Sequence, residues 1–134
     1  KAISDKDGVV DFYHDGGHTQ TTNILGFDVN KNINSKIGSI DSIRLDTLLN
    51  EEDSIDLIKI DVEGAEINVL EGLSGVIEKV KSLLVECHMD DDWDETKDLL
   101  INKYKFSCYD IQFDLPVTID TVERSYQCLC SKLI

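Results

Sequence analysis

The chain has 134 residues, of which 27 are acidic and 13 basic, so its formal net charge is -14. This length fits one domain, and hydrophobic residues make up 41% of it, enough to form a core. No Lys/Arg cluster is present to neutralise phosphates, and no apolar run approaches the ~20 residues that cross a bilayer, which excludes nucleic acid and a membrane span.

The N-terminal segment predicts strands separated by a turn. Residues 2–4 and 9–13 have strand-like composition, and the intervening Asp5–Gly8 segment ends in Asp-Gly, a strong turn signal. Residues 14–38 are rich in Gly, Asn, Thr and Asp and show little periodicity, which favours a long loop. Since the first strand starts almost at the first residue, we expect the chain to begin in mid-fold.

The central segment predicts two strands and two helices. Residues 39–45 alternate like a strand, and Asp46 is placed to cap a short helix. Residues 55–61 are a nearly continuous run of β-branched residues and Leu, typical of a strand buried on both faces of a parallel sheet. After Gly64, apolar residues follow at helical spacing around Gly72, which would end the helix. They are Ile67, Leu70, Leu73 and Ile77.

The C-terminal segment continues the alternation. Residues 82–88 predict a second buried strand, 106–111 a third and 127–133 a last one. The helix between the second and third strands has an apolar face, formed by Trp93, Leu99, Leu100 and Tyr104. Strands alternating with helices predict an α/β fold with a mostly parallel sheet flanked by helices, and the last pair of strands adds an antiparallel strand at one edge.

The four cysteines lie in apolar, strand-like segments and are interpreted as small core residues: Cys87, Cys108, Cys128 and Cys130. Cys128 and Cys130 share one face of a strand and lie closer in sequence than paired structural zinc ligands usually do, so we predict no zinc site. A reducing, cytoplasmic location follows from this interpretation.

Ionisable side chains follow two of the predicted strands. Asp61 and Glu63 end one, and Glu86 and His88 end the next. Because ligands bind outside the carboxyl ends of strands in open α/β sheets, we predict that the four converge on one rim. There they could act as a general base towards a substrate hydroxyl or hold a divalent cation that lowers its pKa, and we assign no metal ligand. The alternative is structural: Glu66 or Glu63 lies in the first turn of a helix and complements its dipole, and Glu86 and His88 pair with each other or with Lys59.

A longer motif surrounds the first of these strands. Residues 56–66, Asp-Leu-Ile-Lys-Ile-Asp-Val-Glu-Gly-Ala-Glu, and the following Val69–Gly72 resemble the signature segment of FkbM-family methyltransferases almost residue for residue. Residues 2–8, 45–49 and 84–88 are similar to flanking elements of the same family, in the same order. The resemblance therefore covers most of the chain up to about His88.

The resemblance implies a class I methyltransferase (Rossmann-like) fold and methyl transfer from S-adenosylmethionine to an oxygen of a small-molecule, sugar or lipid-linked acceptor. By analogy of position, Ser4 and Asp5 would contact the adenine, and Asp61, also a candidate catalytic residue, would lie next to the donor methyl. The family's glycine-rich turn after the first strand has no counterpart here, since Gly16-Gly17 lies in a polar loop. We therefore expect a partial fold, with residues 1–134 a truncated domain and part of a longer enzyme, whose cofactor site is incomplete.

A missing first strand would leave the strand 55–61 with an unpaired apolar edge. We expect a homodimer through that edge or substitute pairing by the N-terminal segment. Two other functions remain open: a non-catalytic α/β binding module that keeps the methyltransferase fold, and a metal-dependent hydrolase. The hydrolase has less support, because the sequence contains neither H-x-H nor H-E-x-x-H.

Overall fold

The computed structural model describes residues 1–14, 22–23, 35–88 and 90–132. These residues form the strands β1 Ala2–Ile3, β2 Gly8–His14, β3 Thr22–Asn23, β4 Ser35–Ile43, β5 Ile55–Ile60, β6 Val80–Glu86, β7 Ser107–Asp110, β8 Leu115–Val117 and β9 Gln127–Ser131. The helices are α1 Leu45–Leu48, α2 Glu66–Gly72 and α3 Trp93–Lys97, with a 3₁₀ turn at Ile77–Lys79 and a π-helical segment at Asp98–Lys103. Most of the loop predicted for residues 14–38, including Gly16-Gly17, lies outside the described residues, but β4 begins within it.

The strands form two sheets, with the orders β1-β4-β2-β3 and β5-β6-β9-β7-β8. In the second sheet only β5 and β6 are parallel neighbours, and β9 pairs antiparallel with both β6 and β7. The prediction of a mostly parallel sheet with an antiparallel strand at one edge is therefore wrong, because β9 lies inside the sheet. The strands β5, β6 and β7 nevertheless run in one direction, as their helical connections predict; β9 occupies the position between β6 and β7.

The N-terminal strands also pair differently from a simple hairpin. A turn does follow β1, but β1 pairs parallel with β4, and β2 pairs antiparallel with the same strand. The strand β4 thus separates two strands that are neighbours in sequence.

The core lies between the second sheet and the helices. The inner strands β6 and β9 supply fully buried side chains: Leu83, Val85, Cys128 and Cys130. The helix-period predictions are confirmed, since α2 ends at Gly72 and Leu70 and Leu73 are fully buried. The predicted apolar face of the second helical segment is buried as well, and the Tyr104 hydroxyl donates to the Leu70 carbonyl at 2.8 Å.

The strand β5 is not buried on both faces, contrary to the sequence-based prediction. It lies at the edge of its sheet, where β6 is its only hydrogen-bonded neighbour among the described strands. Leu57 is 55% exposed, whereas Ile60, near the end of the strand, is 2% exposed. Ile55 and Ile58 are only partly buried against the core, so the strand is covered less completely than predicted.

Arg44 joins the first sheet to both neighbouring helices. Its guanidinium donates to both carboxylate oxygens of Asp46 and to the carbonyls of Asp5 and Glu71. Asp46 also accepts from the backbone N–H of Gly75 at 3.1 Å. The predicted helix-capping role of Asp46 is wrong, since α1 has no side-chain cap. The hydrogen bonds from Arg44 instead lower the pKa of Asp46.

Two of the cysteines are not free thiols. Cys108 and Cys130 are register partners on β7 and β9, and they form a disulfide. Cys87 and Cys128 are free and buried, and burial raises the pKa of Cys128 to about 12. Because disulfides persist in oxidising compartments, these cysteines give no basis for predicting a reducing location. Among the described residues, no helix combines the length and apolar character needed to cross a bilayer.

The close packing of α2 on the end of β1 leads to a stability prediction. A Cβ on Gly72 would lie 2.5 Å from the carbonyl oxygen of Ser4, a backbone atom that cannot rotate away. We expect Gly72→Ala to lower the free energy of unfolding by roughly 1–3 kcal/mol, measured by urea titration, even though Ala favours helix by about 1 kcal/mol.

The matched control is Glu71→Ala in the same helix, which should change the free energy of unfolding by no more than about 0.5 kcal/mol. A Gly72→Ala protein as stable as the parent would show that the two backbones can separate without cost.

Candidate functional site

The parallel pairing of β5 and β6 brings the residues that follow both strands to one edge of the sheet. Ile60 is the register partner of Val85, so Asp61 and Glu86 come next on neighbouring strands. Lys59 lies between their carboxylates, with its Nζ 2.8 Å from Asp61 Oδ2 and 3.4 Å from Glu86 Oε1. The predicted convergence of the two strand ends on one rim is therefore present in the structure.

A tight turn connects β5 to α2. Glu63 has φ 51° and Gly64 has φ 97°, both in the left-handed region. Gly64 adopts this conformation without cost, whereas a residue with a Cβ, such as Glu63, loses about 1 kcal/mol there. The turn places the carboxylate of Glu63 beside that of Asp61, facing the second residue after β6.

That residue, His88, is held by a buried carboxylate. Its Nδ1 lies 2.5 Å from Oε1 of Glu66, the first residue of α2, whose side chain is 4% exposed. The same oxygen accepts from the backbone N–H of Gly64 at 3.1 Å. Because this carboxylate oxygen accepts from Nδ1, Nδ1 carries a proton, and in the neutral ring the lone pair of His88 is then on Nε2. We assign the tautomer from this hydrogen-bond pattern.

The free ring nitrogen of His88 faces the two exposed carboxylates of the turn. Nε2 lies 3.8 Å from Asp61 Oδ1 and 3.9 Å from Glu63 Oε2, beyond hydrogen-bond distance from either. The His88 side chain is 9% exposed, and the ring of Tyr126 packs against it edge-on with 5.7 Å between centroids. The ring is therefore fixed in orientation, with one nitrogen directed at a pair of acids.

Glu86 lies near Lys59, as the structural alternative predicted, and not beside His88. Its Oε1 accepts from Gln127 Nε2 at 2.9 Å and lies near Lys59, and no contact among the described residues joins it to His88. Three of the four predicted rim residues thus surround a single point, while Glu86 is connected to Asp61 only through Lys59. The hydrogen bond to Asp61 also raises the pKa of Lys59.

Ser4 and Asp5, the predicted adenine contacts, lie at the end of β1 beside α2. Ser4 is 1% exposed, and its hydroxyl donates to Asp5 Oδ1 at 2.8 Å. This bond, together with a hydrogen bond from the Asn68 side chain, lowers the pKa of Asp5. Ser4 can reach a ligand only by orienting Asp5, and cofactor binding by either residue stays a prediction.

The contacts of Glu66 and Tyr126 with His88 were not predicted from the sequence. Glu66 was expected to complement a helix N-terminus, and the structure adds its contact with His88 across two elements. Tyr126 lies far along the chain, just before β9, and reaches His88 because β9 inserts next to β6. Only the pairing of distant strands could reveal the second contact.

A separate cavity of about 500 Å³ lies at the β7–β8 hairpin. Its apolar wall is formed by Phe113, Leu115, Pro116 and Val117. Arg124 lines the same cavity and also packs its guanidinium over the ring of Tyr126, 6.0 Å from the ring centre. None of the predicted site residues lines this cavity.

The buried contact between Glu66 and His88 leads to a second stability prediction. We expect Glu66→Ala to lower the free energy of unfolding by roughly 1–3 kcal/mol, because the donors on Gly64 and His88 would lose their acceptor. Thermal and urea unfolding of the purified variant measure this change.

Glu63→Ala is the control, since it removes an exposed carboxylate from the same turn and should change stability by about 0.5 kcal/mol or less. If both variants lost the same free energy of unfolding, the buried position of Glu66 would add nothing to its contribution to stability.

A family model described as the methyltransferase FkbM domain matches residues 2–108. No curated protein and no solved structure gives a significant match to the chain. The matched region contains every residue that contacts His88 in the rim, from Asp61 to Glu66, and it ends before Tyr126 and β9.

Proposed function

Because the chain belongs to the FkbM family of methyltransferases, we propose that it takes part in methyl transfer from S-adenosylmethionine to an oxygen atom. The acceptor would be a small molecule, a sugar or a lipid-linked compound, and the chain would act as part of a longer enzyme. The observation that carries the proposal is the convergence of Asp61, Glu63 and His88 at the carboxyl ends of two parallel strands, where open α/β sheets bind ligands.

The direction of the strands supports a partial class I methyltransferase (Rossmann-like) fold. The strands β5, β6 and β7 run in one direction, and α2 and α3 lie in the connections between them. Such connections are right-handed in nearly all proteins. The loops that follow β5 and β6 therefore lie at the same end of the sheet, the one formed by the carboxyl ends of these strands. That end is the rim where the methyl acceptor would meet the donor.

The chain offers only part of a site for the cofactor. Asp5 carries a carboxylate oriented by Ser4 and Asn68, and Asp61 is 39% exposed at the end of β5. These residues fit the adenosine side and the methyl side of the cofactor respectively, but the glycine-rich turn that would approach its methionine portion is missing from the sequence. S-adenosylmethionine, when bound, supplies a methyl group on a positively charged sulfur.

The residues of the rim have a defined task in such a reaction. An acceptor hydroxyl must lose its proton as its oxygen attacks the methyl carbon, and acidic or imidazole groups near it favour that loss. Asp61 and Glu63 are exposed enough to meet the acceptor, whereas the buried Glu66 holds the His88 ring in place. We therefore assign Asp61 and Glu63 to contact with the acceptor, and Glu66 to positioning the ring of His88.

Substitution of Asp61 tests the proposal in the full-length enzyme. We expect Asp61→Asn to reduce kcat/KM for methyl transfer by roughly 100- to 10,000-fold, because the amide removes the negative charge next to the reacting oxygen. Transfer of a radiolabelled methyl group from S-adenosylmethionine measures the rate.

Asp56→Asn is the matched control, since Asp56 lies at the other end of β5 with its side chain 87% exposed. Its turnover should equal that of the parent. Unchanged turnover of Asp61→Asn would remove Asp61 from the reaction. Isothermal titration with S-adenosylmethionine tests the alternative of a non-catalytic binding module: no heat with residues 1–134, but binding by a protein extended upstream, would favour the truncated enzyme.

We also propose that two copies of residues 1–134, without the first strand of the longer enzyme, pair through the open edge of β5. No described strand pairs with the backbone of this edge, and Leu57 adds an exposed apolar side chain. We expect a concentration-dependent dimer in light scattering coupled to gel filtration, and we expect Leu57→Lys to shift it to monomer. Val122→Lys changes another highly exposed apolar residue away from this edge and should leave the dimer intact. A monomeric parent protein at high concentration would contradict the proposal.

A further inference from the structure

We infer that Asp61, Glu63 and His88 form a binding site for a divalent cation. One atom from each residue, two carboxylate oxygens and a ring nitrogen, lies within 4.8 Å of the other two. The three residues come from the turn after β5 and from the end of β6, so the parallel strand pair determines their proximity.

The distances suit a shared ion. Oxygen and nitrogen ligands lie about 2.0–2.2 Å from a first-row cation, so two ligand atoms on one ion are at most about 4.4 Å apart. The Nε2 atom of His88 meets this limit with Asp61 at 3.8 Å and with Glu63 at 3.9 Å. Both carboxylates are partly exposed and can rotate by the small amount that would complete the set.

The buried nitrogen of His88 is the observation that points to a ligand. The ring is about nine-tenths buried, yet Nε2 has no hydrogen-bond partner among the described residues and is directed between two carboxylates. Buried polar atoms are nearly always paired, so in the neutral ring the unpaired Nε2 in this position is available to a ligand. A cation held by Nε2 and the two acids satisfies it.

The surroundings of His88 match those of a ring that binds a metal. Histidine ligands typically donate their other N–H to a carboxylate, which fixes the tautomer and makes the free nitrogen a better ligand. Glu66 accepts that bond from Nδ1, and Tyr126 restricts the ring from its edge. Glu66 is thus a positioning residue, too deeply buried to contact the cation itself.

The local charge also favours a cation. Among the described residues, four carboxylates, from Asp61, Glu63, Glu66 and Glu86, lie around this rim with one ammonium, that of Lys59. The guanidinium of Arg124 is nearby as well and donates to the carbonyl of Cys87. Lys59 binds Asp61 through Oδ2, and the other oxygen, Oδ1, is the one that faces His88. The lysine therefore compensates one acid without occupying the point where the three ligand atoms meet.

The ligand set favours a particular class of ion. Carboxylates suit hard cations such as Mg²⁺ and Mn²⁺, whereas an imidazole favours first-row transition metals. Mn²⁺ satisfies both preferences. Such an ion could bind the acceptor oxygen and lower the pKa of its hydroxyl, with the proton released to water; this role rests on the proposed function, whereas the binding site does not.

Manganese titration of the metal-free, full-length protein tests the site. The signal of free Mn²⁺ in electron paramagnetic resonance should show one bound ion per chain, and bound Mn²⁺ should broaden the ring protons of His88 in NMR spectra. Asp61→Asn and Glu63→Gln should each weaken binding at least tenfold. Glu66→Gln, which keeps an acceptor for Nδ1 but no negative charge, should weaken it by about 10- to 100-fold through His88.

Controls separate this site from general attraction to an acidic protein. Asp56→Asn and Asp94→Asn remove exposed acids elsewhere and should leave the affinity for Mn²⁺ unchanged. Circular dichroism checks that each variant is folded, and the exposed positions of Asp61 and Glu63 make folding of those two variants the expected result. Absence of Mn²⁺ binding, or equal affinity in the Asp61, Glu63 and control variants, would overturn the inference.

The same experiment distinguishes the site from the proposed function. Mn²⁺ binding without methyl transfer would contradict the function and leave the cation site intact. Methyl transfer that persists in a chelator, in a protein that does not bind Mn²⁺, would overturn the cation site alone.

Discussion

The parallel pairing of β5 with β6 is the constraint on which the site depends. Parallel neighbours end on the same side of a sheet, so strand direction alone brings the residues after both strands close together. Antiparallel pairing would have placed Asp61 and His88 at opposite ends. The connection through α2 allows β5 and β6 to run parallel. The proximity of the ionisable residues at the rim follows from that strand direction.

The helix α2 serves both ends of this arrangement. Its first residue, Glu66, is bound to His88, and its last residue, Gly72, packs on the backbone of Ser4 at the end of β1. A shift of the helix by even a fraction of a turn would break the buried bond at one end or cause a clash at the other. The position of His88 is therefore coupled to the packing between the two sheets.

Periodicity and composition predicted the secondary-structure elements better than they predicted which strands pair with each other. The helical stripe through Leu70 and Leu73 and the acidic tips at Asp61 and Glu86 were predicted because each depends on local spacing. The insertion of β9 between β6 and β7, the exposed edge of β5 and the Cys108–Cys130 disulfide could not be, since each depends on which distant strand occupies a position. The separation of Glu86 from His88 has the same origin, because Gln127 on β9 binds Glu86.

The left-handed backbone at Glu63 has a consequence for how such a chain can change over time. Glycine would occupy this position with less strain, so selection for a sturdier fold alone would replace the acid by glycine. A carboxylate at this conformationally unfavourable position therefore lowers the stability of the fold. A comparison of the residue at position 63 among related proteins would show in which of them selection for ligand binding no longer acts, because glycine would replace the acid there.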